Sequence, residues 1–147
     1  DKIINGGRCK RFHDRANIDC MDHEVGMRIF DSEACSLPYM LDLMERHPLG
    51  SQAFTPMNAG IFLITVAEDA GGAPVNPRAF YTAPFQSINI HRNIWHGPLA
   101  PLSPNAIYIV VDYIGAKPNL EEYRFDTPYR ITVPESHQLM DKSGNSL

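Results

Sequence analysis

The sequence predicts an all-β fold, a sandwich or barrel, on three observations. Short apolar runs alternate with a period of two, turn-forming clusters of Pro, Gly and Asn separate them, and twelve prolines are spread along 147 residues. Proline removes a backbone donor and clashes with the preceding helical turn, so that density disfavours long helices. The candidate strands run, in order, over Gly26 to Ser32, Ala59 to Ala67, Arg78 to Ala83, Ser87 to Arg92, Ala106 to Ile114 and Tyr129 to Val133. Ahead of the third, Ala70-Gly71-Gly72-Ala73-Pro74 supplies residues that accept positive φ. Ahead of the fifth, Pro101-Leu102-Ser103-Pro104-Asn105 fixes φ twice. One stretch favours another state: Leu37, Met40, Leu41 and Met44 recur at helical spacing, and propensity alone makes Pro38 to Arg46 helical. The polar end from Asp141 to Leu147 is expected to fray.

A chain of this length, 44% hydrophobic, buries one sizeable core and is too short for two, so residues 1–147 are expected as a single domain. The net charge of -4, with Lys and Arg scattered, provides no basic stripe for a phosphate backbone, and a nucleic-acid partner is not expected. No apolar run reaches bilayer-spanning length, and Asp1-Lys2-Ile3-Ile4 lacks the pattern of a secretory signal. A cytoplasmic protein with no membrane partner is the expectation. Cys9, Cys20 and Cys35 are odd in number and lack CxxC spacing, which reads as reduced packing residues. The opening without an initiator Met suggests a chain that begins inside a longer product.

Chemistry concentrates in two runs, Glu45-Arg46-His47-Pro48-Leu49-Gly50-Ser51-Gln52-Ala53-Phe54 and His91-Arg92-Asn93-Ile94-Trp95-His96-Gly97-Pro98. On a strand, Glu45 and His47 face the same way and Arg46 the other. A carboxylate oxygen and an imidazole nitrogen are then offered to one divalent metal, with the Gln52 amide added after the turn. The alternative is a solvated Glu45–Arg46 charge pair with His47 capping the turn. His91 and His96 need an intervening turn to share a face, and His91 suits proton donation or acceptance near neutral pH or, equally, a bond to a neighbouring strand. Trp95, the sole Trp, is a core plug or the apolar wall of a small-molecule pocket. Between Ile107 and Ile114, Tyr108, Val110 and Asp112 share one face and Ile107, Ile109, Val111 and Tyr113 the other, which reads as the apolar one. An inward Asp112 needs a partner such as His or Arg, and orienting a catalytic imidazole would supply one; equally, Asp112 reads as a turn-stabilising carboxylate near the strand end. The cluster of Arg11, His13 and Asp14, together with His23 and His137, reads as surface.

The run Glu45 to Met57 resembles the first signature of the ureidoglycolate lyase family nearly throughout, and Ile88 to His96 resembles its second. Ile4-Asn5-Gly6-Gly7 with Arg11-Phe12-His13-Asp14 is similar to the start of the family's core, and Val110-Val111-Asp112 to its late strand. The resemblance implies a cupin-like jelly-roll β-barrel, commonly a homodimer, in which Pro38 to Arg46 is strand, with an N-terminal strand region before Ile4. It implies a lyase that converts (S)-ureidoglycolate to glyoxylate and urea in allantoin catabolism. His47, His91, His96 and Asp112 would be catalytic, and Arg46, Gln52, Arg92, Trp95 and Tyr108 would bind the substrate. A divalent metal such as nickel would sit on Glu45, His47, Gln52 and His96. In a metal-free site, His91 and His96 would divide the acid and base roles. The chain departs from the family pattern at Asp31 and Tyr113, each in place of an Arg, and at Phe85-Gln86-Ser87, where a Gly is usual. Those departures also suit a cupin-type lyase or isomerase for another small 2-hydroxy or 2-oxo acid, or a non-catalytic barrel that binds a small acid.

Overall fold

Strands that alternate in polarity have one face to bury, and two sheets satisfy each other by packing those faces together. The computed structural model describes residues 1–132 and resolves this into twelve strands: β1 (Lys2–Ile4), β2 (Cys9–Arg11), β3 (Glu24–Ser32), β4 (Tyr39–Arg46), β5 (Gln52–Pro56), β6 (Phe62–Ala70), β7 (Ala73–Tyr81), β8 (Ile88–Ile90), β9 (Trp95–His96), β10 (Ala100–Pro101), β11 (Ala106–Ile114) and β12 (Glu121–Ile131). A four-stranded sheet has the order β3-β11-β5-β8. A six-stranded one runs β10-β6-β9-β4-β12, with β7 against the free side of β6, and β1 with β2 forms a separate hairpin. All pairings are antiparallel. Consecutive strands from β3 to β6 alternate between the sheets, so the chain winds around the barrel, and the interleaved order is that of a cupin-like jelly roll. No helix occurs among the described residues.

The stretch from Pro38 to Arg46, helical by propensity, is strand. Tertiary pairing outweighs the local preference: β4 pairs with β12 on one side and with β9 on the other. The Gly-rich turn behaves as the sequence reading expects, with Gly71 at φ 65° and Gly72 at φ 92° closing the β6–β7 hairpin. β11 begins and ends at the expected residues. The short strands β1, β2, β9 and β10 escape periodicity analysis because two or three residues carry no period. The expectations for His137, for Val133 as a strand end and for the tail from Asp141 lie outside the described residues.

The core between the sheets gathers Phe54, Phe62, Ala106, Tyr108 and Val110, with Phe30, Ile64, Ile88, Ile90 and Leu99 around it. A second cluster, Leu41, Met44 and Trp95 with Tyr39, Tyr123 and Phe125, belongs to the strands of the six-stranded sheet. On β11 the buried face carries Tyr108, Val110 and Asp112, the reverse of the sequence reading. Paired β3 turns the same way, leaving Val25, Met27 and Ile29 at 51%, 71% and 59% exposure. The face with more hydrophobic residues therefore points outward on this sheet, and the inward face keeps polar groups for a cavity.

Gly50 packs tightly beneath the site, because a Cβ there would lie 2.8 Å from Tyr113 Cβ and 3.1 Å from Cys20 Sγ. Gly50→Ala is expected to destabilise the fold by about 1–3 kcal/mol, the usual range for an overpacked interior. Chemical denaturation of the variant against the parent measures it, and an unchanged midpoint would mean that the turn shifts freely.

Candidate active site and metal centre

Cross-strand pairing builds the centre. Glu45 on β4 is the register partner of His96 on β9, which puts both side chains on one face of the six-stranded sheet. His47 follows two residues after Glu45 on the same face. The ligand atoms of Glu45, His47 and His96 all lie within 4.8 Å of one another. His96 is 2% exposed, and its Nε2 lies 3.4 Å from Glu45 Oε1. That approach is electrostatic rather than an aligned hydrogen bond, since Nε2 has no hydrogen-bond partner. In its protonated form the His96 ring holds the Glu45 carboxyl below its ordinary value, although burial works against the charge, and a charged His47 acts in the same direction.

Backbone carbonyls fix both tautomers. His47 Nδ1 stands 2.6 Å from the Asn119 carbonyl oxygen and His96 Nδ1 stands 3.1 Å from that of Ile94. A carbonyl only accepts, so each Nδ1 carries the proton and each Nε2 presents a lone pair. Both Nε2 atoms are buried without a partner, and the ring centroids are 5.2 Å apart. Gln52, on β5, donates through Nε2 to Asp112 Oδ2 at 3.3 Å, which turns its carbonyl oxygen away from the carboxylate. That Oε1 is also buried without a partner. Two imidazole lone pairs, one held carboxylate and an orphaned amide oxygen fit a divalent transition metal, with the carbonyl bonds to Nδ1 as the outer support such ligands require.

Glu45, His47 and Gln52 face a cavity of about 440 Å³, also lined by Arg28, Phe30, Phe54, Leu99, Asp112, Tyr113, Lys117 and Asn119, and His96 lies buried behind Glu45. Asn119 fastens the loop after β11 over the site, because its backbone oxygen accepts from the His47 Nδ1–H while its side-chain oxygen accepts from the Leu49 N–H at 2.7 Å.

The structure brings together Glu45, His47, Gln52, His96 and Asp112 and places the other candidate residues elsewhere. His91 is exposed on the turn after β8 and does not line the cavity. Arg92 reaches outward, from its Nε to Asp19 Oδ2 at 3.2 Å and from its Nη1 to the Pro48 carbonyl at 3.3 Å. Arg46 alternates away from the cavity, pairs with Asp69 and Glu121, and lies 4.5 Å from the Trp95 ring centroid. Trp95, adjacent to His96 and therefore on the opposite face, donates to Asp69 Oδ1 at 2.8 Å. Tyr108 packs edge-on against Phe62 in the core. Asp112 meets Arg28 Nε at 3.3 Å rather than an imidazole. Sequence reasoning missed Arg28, Lys117 and Asn119. Arg28 was findable as the one cation on the Gly26–Phe30 parity of β3, whereas Lys117 and Asn119 sit on an irregular loop with no periodic signal.

A jelly-roll barrel that gathers two histidines and a glutamate within 4.8 Å of one another, with an unpartnered Gln52 oxygen on the wall of the adjoining cavity, defines a cupin-type site for a small molecule. The chain belongs to the ureidoglycolate lyase family, whose profile matches residues 1–132. It is 53% identical over 129 residues to a ureidoglycolate lyase of Rhodobacter capsulatus, covering 87% of this chain and 80% of that protein. Identity is 44% over 138 residues to one from Brucella ovis, covering 92% and 82%. It is 43% over 130 residues to ureidoglycolate lyase 2 of Rhizobium meliloti, covering 87% and 80%. Among solved structures, tomato vicilin is similar with a TM-score of 0.46 and 19% identity, over 69% of this chain and 26% of vicilin.

The Trp95 indole N–H, followed by the Gly72 amide and Arg46, holds the Asp69 carboxyl below its ordinary 3.8. A depressed folded-state value contributes stability above the unfolded value, and that contribution is lost as pH falls through the folded value. Asp69→Asn is therefore expected to lower the melting temperature at neutral pH, with the difference from the parent beginning to shrink near pH 3.8 and vanishing only below the depressed folded value. Thermal melts across that range test this, and a pH-independent difference would remove the charge from the account.

Proposed function

We propose that the chain is a lyase that converts (S)-ureidoglycolate to glyoxylate and urea. The observation that carries the reading is the pair of buried, partnerless Nε2 lone pairs beside the Glu45 carboxylate, in a chain 53% identical to a ureidoglycolate lyase. A divalent metal such as nickel, held by Glu45, His47, His96 and the Gln52 oxygen, would supply Lewis acidity that lowers the pKa of the substrate hydroxyl. The reaction is collapse of a carbinolamide: the hydroxyl loses its proton, its oxygen becomes the carbonyl of glyoxylate, the C–N bond breaks and the urea nitrogen gains a proton. With His91 outside the cavity, that proton traffic falls to the cavity cluster. Glu45 enters ionised, and the two reacting atoms share one carbon, so a single carboxylate reaches both. Through the carboxylate oxygen that would not hold the metal, Glu45 takes the hydroxyl proton and returns it to the departing nitrogen. His47 and His96, each fixed by a carbonyl, hold the reacting centre, and Phe30, Phe54 and Leu99 line the cavity with apolar surface that strengthens its electrostatics.

Asp31 does not weaken this reading, because it lies away from the cavity, beside Ser32 and Asn105. Tyr113 does border the cavity, packed edge-on to His23 at 5.0 Å, and it supports a second reading in which the substrate is another small 2-hydroxy or 2-oxo acid. Glyoxylate release from racemic ureidoglycolate, with and without chelator, separates the two. The folded parent is expected to release glyoxylate, and His96→Ala to lower the rate by about 100-fold or more while losing bound metal on elemental analysis. Absence of release from a folded, metal-replete parent would sink the lyase reading.

A homodimer and a cytoplasmic setting belong to the same proposal. The exposed Val25, Met27 and Ile29 on edge strand β3 offer an apolar sheet face to a second copy, and Cys9, Cys20 and Cys35 are free thiols, as suits a reducing compartment. Met27→Lys is expected to shift the sedimenting species from dimer to monomer. A parent that already sediments as a monomer would end the dimer reading.

A further inference from the structure

We infer that Arg28 is the residue that receives the carboxylate of the substrate, an inference that rests on the lyase reading of the cavity. Arg46 and Arg92 are committed to Asp69, Glu121, Asp19 and Pro48 away from the cavity. Among the described residues that line the cavity, the cations are Arg28 and Lys117.

Arg28 is built into the sheet that forms one wall. It pairs in register with Val110, and Asp112 pairs with Gly26, so Arg28 and Asp112 project from the same face as diagonal neighbours. Asp112, with a side chain only 10% exposed, meets Arg28 Nε at 3.3 Å, and Arg28 Nη2 donates to the Tyr113 carbonyl at 3.1 Å. The Asp112 contact is an ion pair without an aligned hydrogen bond, and the Tyr113 carbonyl takes one Nη2 hydrogen, which leaves the Nη1 hydrogens and the second Nη2 hydrogen, the outer edge of the fork, for a ligand. The side chain is 50% exposed, so that edge is reachable from the cavity. A planar guanidinium offers a carboxylate two parallel N–H donors, whereas the Lys117 ammonium on its loop is a point charge without a fork. The same Asp112 accepts from Gln52, whose Oε1 is free for the centre. One buried carboxylate thus orients the anchor and the amide together, and a 2-hydroxy acid bound at its carboxylate presents the adjacent carbon toward Glu45 and the imidazoles.

The test compares Arg28→Met, Arg28→Lys and Lys117→Met with the parent, each checked for folding by its thermal melt. A binding group used equally in ground and transition states raises KM and spares kcat. Arg28→Met is expected to raise KM for ureidoglycolate about 10- to 100-fold with kcat within about threefold, and Arg28→Lys to fall between it and the parent. A larger rise in KM for Lys117→Met than for Arg28→Met would assign the anchor to Lys117 and overturn the inference. Calorimetric titration with glyoxylate, which retains the carboxylate, is expected to show the same loss for Arg28→Met without relying on turnover. An unchanged KM, or a fall in kcat alone, overturns the anchor. If the parent binds glyoxylate but releases none from ureidoglycolate, the lyase reading fails, and the anchor stands or falls on whether Arg28→Met weakens glyoxylate binding. A parent that neither turns over the one nor binds the other overturns both.

Discussion

The site depends on the Glu45–His96 register between β4 and β9. Because strand side chains alternate with a period of two, a slip of one residue would place Arg46 or Trp95 where an imidazole or a carboxylate now stands. β9 is only two residues long and cannot set its own register. It is held between β4 and β6, with His96 opposite both Glu45 and Val66, and the Gly97 N–H donates to the Thr65 carbonyl at 2.9 Å. Trp95 completes the lock from the other face through its bond to Asp69 and its contact with Arg46. The residues that flank the ligands in sequence thus act on the opposite side of the sheet, where they keep the ligands aimed.

A similar division applies to the rest of the two runs. Arg92 ties the turn at Pro48 to Asp19, and Asp19 and Ser51 are joined twice, by the Ser51 N–H to the Asp19 carbonyl at 2.7 Å and the Asp19 N–H to Ser51 Oγ at 2.9 Å. The Asn93 N–H reaches the His47 carbonyl at 2.9 Å, so the second run supports the backbone of the first. His47 is then held at its carbonyl by Asn93 and at its ring by Asn119. Ring and backbone are both fixed, which leaves the Nε2 lone pair little freedom of direction. Preorganisation of this kind places the ordering cost in folding rather than in ligand binding.

Much of the strand architecture was legible because alternation and turn chemistry are local, although β5 and the first half of β7 were not among the expected strands. The Pro38–Arg46 stretch was misleading for the opposite reason: Leu and Met favour helix locally, and only two neighbouring strands, distant in sequence, overrule them. The grouping of Glu45, His47 and Gln52 was legible from spacing, and His96 joined them through the resemblance. What stayed hidden was the direction of side chains in runs without regular structure. His91 looks equivalent to His96 in a list of imidazoles, yet it falls on the turn side of β8 and points out.

The inverted four-stranded sheet explains why polar site residues were hard to assign to a face. A half-buried strand ordinarily hides its more hydrophobic side, and by that rule β3 should bury Val25, Met27 and Ile29. It buries the Gly26, Arg28 and Phe30 side instead, as β11 buries the side with Asp112. The buried Asp112 carboxylate needs compensation, and the half-exposed Arg28 and the Gln52 amide provide it from the strands on either side of β11, β3 and β5. The ionic row costs desolvation that an apolar wall would not, so its retention is explained by what it orients rather than by stability. The inward face of this sheet holds a site and the outward face is left apolar, so hydrophobicity alone assigns the two faces the wrong way round.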